Sequence, residues 1–251
     1  MMLAGLVKNE CRKAFRMRKP RLFMAAATLL QLIAVFRLLR DGAGEMNGQS
    51  FPLHMIDGQP LLMALYAAAI AADLAADEYR SGALKLALLR PVGRGRLVLA
   101  KAAALALAVA ALAVFQVVAA YAVGTLAFGW GDRLLADGVP VTGDGVAATL
   151  KAAAAQLAPC MGFGMLALFL ALVTGHAGMT IGLSAALYLF LPLTRMDPRY
   201  SIVHQMNGFH LAVLHGAPIR DVLADLGVAA AYAVLFLAAG AFYMKRKDVL
   251  L

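Results

Sequence analysis

Twenty residues beginning at Asp77, DEYRSGALKLALLRPVGRGR, combine two adjacent acids with five bases between two long apolar runs, and Lys101 follows shortly after. That mixture suits recognition by charge rather than bond making. Other side chains capable of chemistry are few. Asp73 is an acid within an apolar run, where proton or ion handling is the functional reading and contact with interfacial water is the structural one. His204, His210 and His215 are separated by gaps of six and five, which do not share one helical face as metal ligands such as HExxH do. No metal site is expected. Cys11 and Cys160 form no CxxC or Cys/His ligand pattern, and no Ser/His/Asp arrangement argues for a membrane-embedded enzyme. The chain also lacks GxxxxGK[ST], so it is not expected to bind ATP through a P-loop.

The elements that must carry these residues are set by hydropathy. The 251 residues are 63% hydrophobic, with mean hydropathy +0.78. A soluble domain is nearer half apolar. A bilayer core about 30 Å thick is crossed by roughly 20 helical residues, and several Ala- and Leu-rich runs reach that length. The expected fold is all-α: a polytopic membrane protein with six transmembrane helices, forming one transmembrane domain over 1–251. The net charge of +9 comes without any nucleic-acid-binding motif, so it is assigned to loop cations and membrane lipid, not to nucleic acid.

Residues 3–19 place Leu3, Leu6, Val7, Cys11, Ala14 and Phe15 on one face, flanked by Lys8, Arg12, Lys13 and Arg16. This predicts an interfacial helix within 1–21. The first span is expected over 22–39 as an uncleaved segment, because no small-x-small site follows it. A polar loop through Gly58 leads to a second span over 60–76. The third lies within 97–128, the fourth over 152–173 with Pro159 inside it, the fifth over 179–193 and the sixth over 223–244. Pro159, with Gly162 and Gly164, reads either as a hinge or as close packing through small residues. Residues 195–222 carry apolar positions that predict an external segment dipping back into the outer leaflet. Trp130 and Tyr243 read as interface anchors.

Charge orients this arrangement. With six spans, 16 of the 23 Lys/Arg fall on the side holding both termini and the 77–101 connection, whereas nine of the 14 acids fall opposite. The positive-inside rule then puts both termini in the cytoplasm of a cytoplasmic-membrane protein. Within the connection, Ser81-Gly82 breaks the preceding helix, LKLALLR can form a short amphipathic helix and Arg90-Pro91 ends it. The 77–96 segment therefore reads as a short lever across two membrane helices, or as a solvated basic loop serving only topology.

The stretch EYRSGALKLALLRPVGR resembles the E-x-x-x-G-T-L-K-x-L-L-x-x-P-[IV]-x-R segment of ABC transporter permeases of the type 2 exporter class. LVKNECRKAFRMRK is similar to that family's leading elbow helix, and FYMKRKDVL resembles its final span. Ala83 departs from the pattern, which usually has Thr. The resemblance implies that 77–96 holds a coupling helix seated on a separate P-loop ATPase subunit, which would carry the ATP and Mg. It assigns ATPase coupling to Glu78, Tyr79, Arg80, Lys85, Leu88, Arg90, Pro91 and Arg94. The lesser contact falls to the second cytoplasmic turn at Thr174 and His176. It further implies a second permease copy or a paired permease, and export of an amphiphilic or hydrophobic substrate. A proton-coupled carrier using Asp73 and a non-transporting sensor or immunity subunit remain as alternatives.

Overall fold

The computed structural model describes residues 3–42, 46–76, 93–131, 134–136, 139–140 and 144–246. Seven of the eight coupling residues, from Glu78 to Pro91, lie outside the described residues; Arg94 lies inside them. Among the described residues the regular structure is helical apart from one antiparallel pair of two-residue strands, Leu135–Ala136 with Val139–Pro140.

Helix α1, Leu3–Arg16, runs into α2, Arg18–Asp41, with Met17 in extended conformation between them. Next come α3, Phe51–Gly58, and α4, Pro60–Ala71, which closes with a π-turn over Ala72–Ala76. Then follow α5, Arg94–Phe128, α6, Gly145–Thr174, and α7, Ala177–Phe190, extended by a 3₁₀ turn over Leu191–Leu193. Helix α8, Ile202–Leu214, and helix α9, Ile219–Arg246, complete the chain.

Four of these helices, α2, α5, α6 and α9, are long and apolar enough to cross a bilayer, and α3 with α4 makes a fifth if the bent pair counts as one span. The protein is therefore multi-pass. Helix α7 with its 3₁₀ turn is shorter, at 17 residues, or about 25 Å. Helix α5 has 35 residues and a length of about 52 Å, well beyond the bilayer core. The core gathers where α4, α5 and α6 meet, around Tyr66, Ile70, Leu105, Leu112, Phe163 and Leu168.

The region before Pro60 differs from its sequence reading. The expected loop contains α3, whose Phe51, Pro52, Leu53, Met55 and Ile56 are buried while His54 and Asp57 face outward. Asn47 starts this turn: its Oδ1 accepts the Gln49 and Ser50 amides at 3.0 and 2.9 Å, and its carbonyl accepts the Phe51 amide at 2.9 Å. The two helices meet at 57°. The break has a local cause, since the ring of Pro60 disfavours helical geometry at Gln59, which sits at φ −119° and ψ 14°. Helix α6, by contrast, runs through the buried Pro159 as one element. A Cβ on Gly162 would lie 3.0 Å from the Ala229 carbonyl and from Ile202, so this glycine lets α8 and α9 close on α6.

Candidate functional site

Among the described residues, the buried charges Glu10, Asp73 and Lys101 gather beside the segment that the sequence singles out. On α1, Leu6, Glu10 and Ala14 recur at every fourth residue and are buried against α5. Glu10 therefore belongs to the inward stripe, and Phe15, read from sequence as part of the apolar face, is 46% exposed. Glu10 Oε2 accepts from Lys101 Nζ at 3.2 Å, and Oε1 accepts from Lys13 Nζ at 3.0 Å. Lys101 lies two turns into α5 and is 1% exposed, so it is a core cation rather than a loop charge. Its ammonium also donates to the Leu74 carbonyl within the π-turn. In the same turn Asp73 is buried and accepts from Lys19, at the start of α2.

The π-turn explains part of this pattern. Its i→i+5 closure displaces the backbone from the i→i+4 ladder, as π-bulges do. The Leu74 carbonyl receives an ammonium from another helix. Lys19 and Lys101 thus tie α2 and α5 to the last turn before residue 77, and Glu10 ties α1 to Lys101. Beyond the segment, Arg94 Nη1 donates to the Met244 and Lys245 carbonyls at 3.1 and 3.2 Å. These are end carbonyls of α9, where a cation also meets the negative end of the helix dipole. Arg94 is thus committed at least in part within the chain.

At the second turn, Gly175 adopts φ +63° and its amide donates to the Ala171 carbonyl at 3.1 Å, closing α6. The Thr174 and Thr180 hydroxyls lie 3.0 Å apart, and the Thr180 hydroxyl donates to the His176 carbonyl at 3.0 Å. His176 itself is exposed.

A second polar group lies at the bend of α3 and α4. Gln31 Nε2 donates to the Gln116 carbonyl at 3.0 Å, and Gln116 Nε2 donates to Gln59 Oε1 at 2.6 Å. Gln156 Nε2 donates to the Ile56 carbonyl at 2.9 Å, which supplies a donor to the interrupted end of α3. A cavity of about 10 Å³ beside them, lined in part by Met55, Gln116, Gln156 and Cys160, has room for about one water. Sequence reading missed these glutamines; their signal was a lone amide in each of several apolar runs.

The histidines separate. His210 is fully buried, with Nε2 3.6 Å from Asp57 Oδ1, and burial lowers its pKa although Asp57 pulls the other way. His204 lies six residues earlier on α8, and His215 caps that helix. Among the described residues no three His, Cys, Asp or Glu side chains gather as metal ligands would. Cys11 is half-buried and Cys160 buried, both as free thiols.

No curated protein matches the sequence. Residues 21–250 do match a family, the one described as a protein of unknown function, DUF2705. As that match takes in all but the first 20 residues and the last one, the chain belongs to the DUF2705 family.

Proposed function

We propose that this chain is the permease half of an ATP-driven exporter, with nucleotide hydrolysis in a separate P-loop ATPase. In this reading α2, the α3–α4 pair, α5, α6, α7 and α9 are six spans, both termini are cytoplasmic and α8 is an external re-entrant helix. The 77–96 segment is the lever, and a second copy or a paired permease completes the pathway. Amphiphilic or hydrophobic cargo suits walls of Ala, Leu, Val and Met. Movement of the lever would exchange two packed arrangements of the helices.

One observation carries the proposal: the chain is pinned on both sides of residues 77–92. Before them, the π-turn is held by Lys19 and Lys101. After them, Arg94 grips the end of α9. A lever transmits force only if its ends are fixed to the elements it moves, whereas a loop serving topology needs no such fixtures. Asp73, the residue on which proton coupling would rest, is engaged by Lys19, so the same observation favours mechanical coupling.

Because Arg94 has a structural bond, charge reversal at Lys85 and Arg90 is the cleaner test. Purification of the native chain from its own membranes should retain a subunit bearing GxxxxGK[ST]. Lys85→Glu with Arg90→Glu should reduce that retention at least tenfold while membrane insertion stays normal. Absence of any such ATPase, or equal retention by the reversed chain, would remove the proposal.

A further inference from the structure

We propose that the outward stripe of α1, together with the first turn of α2, is a binding face for anionic phospholipid headgroups. The inward stripe of α1 is held by protein, through Leu6, Ala14 and the Glu10–Lys101 pair. Lys8, Arg12 and Arg16 recur at every fourth residue on the opposite side and are exposed, and Phe15 sits beside them at 46% exposure. Arg18 and Arg21 extend the patch onto α2. Among the described residues, none of these five cations lies within ion-pairing distance of a carboxylate.

The position of the patch identifies its occupant. Directly after Arg21, α2 turns apolar and outward, with Leu22 at 65% and Phe36 at 67% exposure. That flank faces hydrocarbon, so its basic end marks the headgroup level, and α1 lies at the same end of α2. Five cations at that level attract anionic lipid, and the exposed Phe15 can enter the acyl boundary between Arg12 and Arg16. Nucleic acid or an acidic protein would match the charge but would leave the aromatic ring without an apolar partner.

The test uses the full chain in mild detergent, offered equimolar phosphatidylglycerol and phosphatidylcholine and examined by native mass spectrometry. Phosphatidylglycerol adducts should dominate, and the preference should shrink as salt rises. It should fall on the order of fivefold for each charge removed in Lys8→Gln, Arg12→Gln and Arg16→Gln, following the attraction of one cation to an anionic surface. Inorganic phosphate should not displace the lipid. Equal binding of both lipids by the native chain would overturn the proposal. So would an unchanged preference in the triple variant, a preference indifferent to salt, or displacement by inorganic phosphate. The salt series on the native chain keeps the test decisive if the triple variant is poorly folded.

Discussion

Lys101 shows what a charge needs in order to live inside an apolar bundle. Taking an ammonium out of water costs several kcal/mol, and only good partners offset that cost. Glu10 and the Leu74 carbonyl are among those partners. Lys101→Met alone would leave a buried carboxylate and should cost about 3–5 kcal/mol. Replacing both, Lys101→Met with Glu10→Leu, should cost less than either change alone. Thermal unfolding of the four chains in one detergent measures this; strictly additive losses would mean that the two charges are uncoupled. This pair could not be read from the sequence. Its members are 91 positions apart, and no local pattern links them. There were hints: Glu10 is the only acid in the first 40 residues, and Lys101 is the only charge between Leu97 and Gly131. Asp73 was legible as an acid within an apolar run, but its tie to Lys19 emerges only from the packing of α2.

Among the elements, α2, α5, α6 and α9 were legible because uninterrupted apolar length is a one-dimensional property. Helix α1 was legible as an amphipathic helix too, although Phe15, expected on its apolar face, is exposed and Glu10, given no place there, is buried. Helix α3 was not, because FPLHMIDG is short and its His54 and Asp57 resemble loop residues. What makes it a buried helix is contact with α5, and that contact needs Gly124. A Cβ there would stand 2.8 Å from Phe51 Cβ, and Phe51 is fully buried. Gly124→Ala should therefore push α3 off α5 and cost about 1–3 kcal/mol, despite alanine's better helix propensity. A midpoint equal to or above that of the native chain would show that the two helices can separate freely.

For the whole molecule, the sequence carried the multi-pass character and the shortness of α7, expected over 179–193 and found over 177–193, but the bend between α3 and α4 was invisible to hydropathy. The orientation expected from cation placement makes a direct prediction. Alkaline phosphatase fused after Gly42 or Gly131 should be active, and fused after Arg246 inactive; the reverse pattern would invert the protein in its membrane. The π-turn bears on this geometry in another way. It contains one residue more than an α-helical turn would, and each residue advances a helix by about 100°. The wider ring takes up that residue, so excising Ala75 and closing the turn as ordinary α-helix would leave the line of the chain at Ala76 nearly unmoved and would withdraw the Leu74 carbonyl that Lys101 uses. One surplus residue thus works like slack taken up in a rope, baring a handhold for a neighbouring helix while the pull continues in the same line.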